Sequence, residues 1–373
     1  MKGPFGACAD NVCNMKIIVD VMGGDHAPDE TVKGVCLAAQ ELDDSVSYLL
    51  VGDQNEINRV AEENELDMSR FEIVHTEAVI QMDDDPLCVV RSKLDSSMAV
   101  GLKLLAMGEG DAFVSTGNTG ALFTGATLLV RKIKGVQRAG IGSIVPLGNP
   151  LLLLDSGANV TVTEENLEQF AVMGSTYMRC VYEIEQPRVG LLNNGTEACK
   201  GTVLQQTAYE LLSNREDIYF IGNVEGSQAP MDACDVLVTD GFTGNIFLKT
   251  AEGMGKLLLG QMKEVLTENA ITKLAALAMK RQLYGMKKQF DPSEHGGAPI
   301  LGIAKPVVKA HGSSNAKAFK NAIRQAIDYA NSNAISELSA SMKAFAAQKK
   351  AAREQEKRES VSATVGATQE NNG

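Results

Sequence analysis

Residues Ala112–Leu122 read AFVSTGNTGAL. The apolar run stops at Ser115, and an apolar helical pattern resumes at Ala121, after Thr116-Gly117-Asn118-Thr119-Gly120. A short apolar strand, a turn of small polar residues and a helix start, in that order, form the repeating unit of a parallel α/β sheet. The same punctuation closes other apolar runs: VDVMGGDHAP at 19–28, LDSGANV at 154–160, LLNNGTEACKG at 191–201, IGNVEG at 221–226 and VTDGFTGNIFLK at 238–249.

Outward from these turns, the patterns predict strands at Lys16–Val21, Ser47–Gly52, Phe71–His75, Asp111–Val114, Val189–Leu192, Ile218–Ile221 and Val236–Thr239. Ile141–Pro146 and Leu151–Asp155 predict a hairpin around LGNP. Helical spacing marks Glu30–Glu41, Gln54–Asn64, Ser96–Met107, Gly120–Lys132, Glu164–Val181, Thr202–Leu212 and Gly244–Val265. The expected fold is α/β, a mostly parallel sheet with helices on both faces. At 373 residues the chain has room for one large domain or two smaller ones. Met15 reads as a natural start, so residues 1–14 are expected to be a dispensable extension of the core at 15–335. Residues 336–373 read as a helix end followed by a disordered tail, charged and then rich in Ser, Thr, Gln, Asn and Gly from about Lys349.

Composition narrows the function classes. The net charge is −12, tryptophan is absent and aromatics are few, which argues against nucleic acid as a partner. No apolar run is long enough for a membrane span, and the first residues lack the apolar core of a signal peptide. The seven scattered cysteines form no zinc pattern and read as reduced thiols of a cytoplasmic protein.

In open α/β sheets ligands bind beyond the carboxyl ends of the strands, where these six polar clusters are expected to converge. Glycines there allow close backbone approach, and N–H groups at helix starts favour an anion. The clusters predict a cleft for a phosphate or a carboxylate. Each has a plainer reading, because Asp25, Asp29 and Thr119 also suit helix caps and the DG and NG pairs suit turns. Neither G-K-[ST] nor G-x-G-x-x-G nor G-x-S-x-G is present, and no clear protein nucleophile stands out. His26 and His311 lie in polar, glycine-bearing contexts; His75 reads as structural and His295 as a loop residue. A bound substrate is therefore the expected nucleophile.

Taken in order, VDVMGGDHAP, DSSM at 95–98, STGNTGAL, DSGAN at 155–159, DGFTGNIFLK at 240–249, GGAPILG at 296–302 and KAHGSSNAKAF at 309–319 resemble the PlsX family of phosphate acyltransferases. The family's Arg-Pro is Arg138-Ala139 here, and its NIGEE is NNGTE at 193–197. The resemblance implies a three-layer α/β/α fold related to phosphotransacetylases and isocitrate-dehydrogenase-like enzymes, with a protruding helical arm. It implies acyl transfer from acyl carrier protein to inorganic phosphate, without metal or cofactor, giving acyl phosphate for phospholipid synthesis. It further implies a homodimer, peripheral at the membrane, that supplies a glycerol-3-phosphate acyltransferase.

Within the matching motifs, Ser115, Gly117, Asn118, Thr119 and Gly120 are expected to cradle phosphate. Gly23, Gly24, Asp25 and His26, with Ser96 and Ser97, are expected to join them. So are Asp155, Asn159 and Asn193, and Gly241, Phe242 and Gly244 at the next helix start. Asn245, Lys249 and Lys200 are candidates for balancing charge on phosphate and oxyanion, with Asp240 and His311 for orienting or protonating. The segment 257–290 mixes apolar residues, Leu274 and Leu277 among them, with Lys273, Lys280, Arg281, Lys287 and Lys288, and Tyr284 and Phe290 add aromatics. Such a basic amphipathic arm fits a membrane surface, an acidic carrier protein or a dimer partner. Alternatives left open are a phosphotransacetylase acting on acyl-CoA, a hydroxyacid dehydrogenase of the isocitrate type and a non-enzymatic scaffold of lipid synthesis.

Overall fold

The computed structural model describes residues 15–42, 45–145, 149–289, 292–294 and 296–349, with backbone alone for 287–289 and 292. Residues 1–14, Phe290, His295, part of the LGNP turn, the tail from 350 and the side chains of Lys287 and Lys288 lie outside this set.

In chain order the strands are β1 (Lys16–Asp20), β2 (Ser47–Gly52), β3 (Phe71–His75), β4 (Ala112–Ser115), β5 (Gly140–Val145), β6 (Leu151–Leu154), β7 (Arg188–Asn193), β8 (Tyr219–Glu225), β9 (Val236–Val238), β10 (Ala298–Leu301) and β11 (Val307–Lys309). The helices are α1 (Asp29–Glu41), α2 (Gln54–Glu63), α3 (Cys88–Arg91), α4 (Ser97–Met107), α5 (Thr119–Gly125), α6 (Glu164–Val181), α7 (Val203–Ser213), α8 (Gly241–Thr267), α9 (Ala270–Ala278), α10 (Lys280–Gln289) and α11 (Ala316–Asn331), with a further helix at 334–349. The single helix expected over 120–132 is α5 followed by a π-helical segment, Ala126–Arg131.

Period-two patterning sorts each strand's side chains between two helical layers. From β1, Ile17 and Val19 pack against Val35 of α1 and Phe319 of α11. Ile18 faces the other way, toward Leu102 of α4 and Leu122 of α5. In the second half, Leu152 and Leu154 of β6 meet Phe170 and Met173 of α6, while Leu151 and Leu153 face Leu248 of α8. Each such leucine or isoleucine contributes about 1.5–3 kcal/mol when buried. The layers hold because both faces of the sheet are apolar. α6 starts where Thr163 and Asn166 form a reciprocal capping box.

The strands form one sheet in the order β3-β2-β1-β4-β11-β10-β5-β6-β9-β7-β8. Pairing is parallel except at β11–β10, β10–β5 and β5–β6. Three reversals in the middle turn β6, β9, β7 and β8 against β1, β2, β3 and β4. The expectation that six polar clusters meet at one edge is corrected by this topology. Those after β1 and β4 lie at one end of the sheet, and those after β6, β7, β8 and β9 lie at the other.

Beyond Leu248, α8 leaves the body. Its buried residues are Gly241, Gly244 and Leu248, and α9 buries none. α8, α9 and α10 thus form a protruding arm that exposes Leu258, Val265, Ile271, Leu274 and Leu277. No helix among the described residues is long and apolar enough to cross a membrane.

Candidate active site

A cleft of about 660 Å³ crosses the central strands beneath the first turns of α8. Its length reconciles the two ends of the sheet. Asp25, Thr119, Lys309 and the His311–Asn315 turn come from the β1, β4 and β11 end, and Ser156 and Gly157 come from the β6 end. Ile141 and Ser143 of β5 lie between them. Asn245, Leu248, Lys249, Glu252 and Lys256 form the wall, spaced to share one face of α8.

Of the residues expected from sequence, the cleft gathers Asp25, Thr119, Asn245, Lys249 and His311. Lys249 is half exposed and pairs with Glu252 at 2.9 Å. His311 Nδ1 accepts the Ser313 N–H at 3.2 Å, with Ser313 Oγ at 2.9 Å. That acceptor role places the neutral ring's proton on Nε2. Burial, with the nearby Lys249 charge, pushes the His311 pKa below the usual histidine value, so the neutral ring is favoured.

The Ser115–Gly120 turn is wired into itself. Ser115 is buried; its Oγ donates to Asp20 Oδ2 at 2.7 Å and accepts from Gly117 N at 3.0 Å. Thr116 Oγ1 donates to the Gly23 carbonyl. The Asn118 amide nitrogen reaches the carbonyls of Gln81, Met82 and Asp84 at 3.3, 3.0 and 3.1 Å. Its oxygen caps α5 by accepting from Ala121 N at 3.0 Å. The amide proposed for phosphate is therefore engaged on both sides, and only Thr119 of this turn lines the cleft. Gly23 packs against Gly117 so closely that a Cβ would sit 2.7 Å from its backbone, and Gly24 holds a φ of +101° beside Thr116. Ser96 caps α4, and Ser97 hydrogen-bonds Asp20, whose pKa burial raises. His26 is exposed away from the cleft lining.

The second turn is wired by one carboxylate. Asp155 Oδ1 accepts from the backbone of Ile141, Gly157 and Ala158, and Oδ2 accepts from Asn159 N at 2.7 Å and Nδ2 at 2.8 Å. Gly241 donates its N–H to the Asn159 carbonyl at 2.8 Å. A Cβ on Gly244 would fall 1.9 Å from the Asp155 carbonyl oxygen, so glycine alone lets α8 start here. Asp240 is the α8 N-cap, accepting from Thr243 N at 2.8 Å and Thr243 Oγ1 at 2.7 Å. Asp155, Asn159, Asp240, Gly241 and Gly244 hold the wall in place without lining the cleft, and Phe242 is exposed.

Lys200 and Asn193 lie apart from these residues. Asn193 borders a second, apolar groove of about 880 Å³ on the other face of α8, with Ile246, Phe247, Met254 and Leu258. Lys200 is exposed beside it, 3.9 Å from Glu197.

Lys309 has a setting that periodicity does not reveal. Its side chain is 7% exposed and lines the cleft. Nζ donates to the Thr116 carbonyl at 3.1 Å and to the Ala310 carbonyl. Among the described residues no carboxylate pairs with it. Burial pushes its pKa down to about 8, while Asp20 and Asp25 oppose that shift from a distance. Lys309 was expected only as a fallback for Lys249, and Ser143 and Ser156 were missed; the two serine hydroxyls line the cleft and share a hydrogen bond of 2.7 Å. The signal for Lys309 was its place directly before AHGSSN at a strand end, visible only once β11 is recognised.

A family model described as fatty acid synthesis protein matches residues 15–337. A phosphate acyltransferase of Acetivibrio thermocellus is 45% identical over 325 residues, covering 87% of this chain and 95% of that protein. One of Thermoanaerobacter pseudethanolicus is also 45% identical, covering 87% and 96%. Among solved structures, a phosphotransacetylase from Streptococcus pyogenes superposes with a TM-score of 0.57 at 16% identity, covering 85% of this chain and 94% of its own, a likeness of fold.

Proposed function

This chain belongs to the fatty acid synthesis protein family, as an acyltransferase akin to its phosphate acyltransferases, and on that premise we propose that it transfers a fatty acyl group from an acyl carrier protein thioester to inorganic phosphate. The product is acyl phosphate, destined for phosphatidic acid. The observation that carries this reading is Lys309, a buried ammonium facing a cleft with no carboxylate partner. A buried charge needs a counter-ion, and a phosphate dianion supplies it. Two of the three ammonium N–H groups go to carbonyls, leaving one for a phosphate oxygen.

The chemistry follows from holding two reactants together, worth roughly 7–11 kcal/mol. A phosphate oxygen attacks the thioester carbonyl carbon, and the carbonyl π pair moves to oxygen. The Asn245 amide and the neutral His311 Nε2–H are the donors for that oxyanion, each such donor contributing about 3–4 kcal/mol. Collapse breaks the C–S bond with its electron pair on sulfur, and the phosphate's proton ends on the thiol. Lys249, exposed and paired with Glu252, adds screened positive charge at the rim.

The same reading has the arm rest on the membrane, through exposed Ile271, Leu274 and Leu277 beside Lys273, Lys280 and Arg281. It has the protein act as a homodimer that passes acyl phosphate to a glycerol-3-phosphate acyltransferase. The test is to mix the protein with carrier-protein thioester and phosphate and trap acyl phosphate with hydroxylamine. Acyl hydroxamate that requires phosphate supports the reading, and its absence refutes it. For the arm, Leu274→Glu with Leu277→Glu should abolish co-sedimentation with anionic liposomes; retained binding places the contact elsewhere.

A further inference from the structure

In a chain with a net charge of −12, residues 131–138 read RKIKGVQR. Arg131, Lys134 and Arg138 are exposed, and Lys132 is half-buried. Among the described residues none of the four is ion-paired. Lys132 spends its ammonium on the Gln137 carbonyl at 2.6 Å. Glu165, which accepts from Gln137 Nε2, is shared with Lys349. Four cations without carboxylates, side by side on an acidic protein, form a surface that selects an acidic partner.

The ridge has a fixed place relative to the cleft. Ile133 N donates to the Gly302 carbonyl and Ala304 N to the Arg131 carbonyl, so the segment runs along the end of β10. β5 starts at that same end, where Leu301 pairs with Gly140. The cleft rim at Ser156 and Gly157 is tied there too, because Ser156 N donates to the Ile141 carbonyl. Arg138 reaches Asn159 Oδ1 at 3.4 Å, and Asn159 Nδ2 donates to the Ala139 carbonyl at 2.7 Å. Ridge and rim are thus two sides of one turn, and Lys309 lies toward the opposite end of the cleft.

We propose that the Arg131–Arg138 ridge is the docking surface for an acidic protein that presents the acyl thioester, which enters past Gly157 while phosphate occupies the Lys309 end. This rests on the acyl-transfer reading. A protein partner is favoured over a membrane because, among the described residues, the large apolar side chains exposed near the ridge in sequence or through Asn159 are few, Leu128 and Val160, whereas the arm exposes many. The charges act at the rim, so they speed encounter rather than the chemical step.

The experiment compares two thioesters, one on acyl carrier protein and one on pantetheine, the same uncharged arm without the acidic protein. In Arg131→Glu with Lys134→Glu, kcat/KM for the carrier thioester should fall by about tenfold or more through KM. Turnover of the pantetheine thioester and the melting temperature should stay at wild-type values. In the wild type, added salt should slow the carrier reaction and spare the pantetheine one. An unchanged KM for the carrier thioester in a folded variant overturns the ridge proposal. So does loss of anionic-liposome binding by that variant with carrier kinetics intact. If wild type turns over neither thioester, the acyl-transfer reading itself has failed.

Discussion

β4 and β11 are neighbours in the sheet, with Ser115 in register with Lys309, and each runs into a turn of small polar residues. By composition STGNTG and AHGSSN are near equivalents. In the first, the hydroxyls of Ser115 and Thr116 and both ends of the Asn118 amide are taken by other protein groups. In the second, a buried ammonium and a histidine whose Nε2–H has no hydrogen-bond partner among the described residues face the cleft. A polar strand end marks where a site can be built. Which atoms remain open after the fold has satisfied its own hydrogen bonds decides where the ligand goes.

The largest effect expected from this difference is at Lys309. Lys309→Met should lower kcat/KM for phosphate by about a hundredfold or more, the scale of losing one preorganised electrostatic contact. The same variant relieves an unpaired buried charge but strips the donor from the Thr116 and Ala310 carbonyls, so the two effects oppose and the melting temperature should stay close to wild type. Steady-state kinetics against phosphate and a thermal melt check both. Near-normal phosphate kinetics would move the anion site back to the β4 turn.

Asn118→Ala probes the other turn and should behave in the opposite way. It strips partners from three carbonyls and the cap from α5, at a cost of about 1–3 kcal/mol of stability. The KM for phosphate should hold at temperatures where the variant is folded. A raised phosphate KM with an unchanged melting temperature would restore Asn118 as a ligand.

Much of the fold could be read in advance, for a physical reason. Ser47–Gly52, Phe71–His75 and Glu164–Val181 match the predicted bounds because their apolar spacing alone defines them. β10 and β11 are four and three residues long in a Gly- and Pro-bearing stretch, too short to carry a period. Of the three reversals that separate the clusters, the β5–β6 hairpin was expected from its turn and is present, while the two at β10 left no mark in apolar spacing. The site was legible as a neighbourhood: Asp25, Thr119, Asn245, Lys249 and His311 were expected and do line one cleft. Distinguishing them from Asp155, Asn118 or Asp240 needs the donor count at each atom, which is a property of tertiary contacts.

The pH dependence sharpens the comparison further. Burial pushes Lys309 down to about 8, so its charge disappears as pH climbs through that value. The KM for phosphate should then rise by up to about tenfold per pH unit, and Lys309→Met should lack this limb. Stability without phosphate should move the other way. The unfolded lysine holds its proton to higher pH, so between about 8 and the ordinary lysine value the unfolded state binds more protons and stability rises with pH. Chemical denaturation of wild type and Lys309→Met across that range separates the two signs.

The smallest effect is expected at Lys249. It shares the cleft with Lys309, but its side chain is half exposed and its ammonium lies 2.9 Å from Glu252. Solvent and the carboxylate screen its field, and exposed pairs of this kind are worth about 0–1 kcal/mol. Lys249 also holds down the His311 pKa, together with burial. Lys249→Ala should therefore fold as wild type, raise the KM for phosphate only about two- to fivefold, within that 1 kcal/mol, and move the His311 titration upward. NMR titration of the His311 ring and phosphate kinetics read the two consequences independently. A loss as large as that of Lys309→Met would show that exposure is a poor guide to the work a cation does here. The contrast would then lie between the two turns alone, with both lysines acting on one anion.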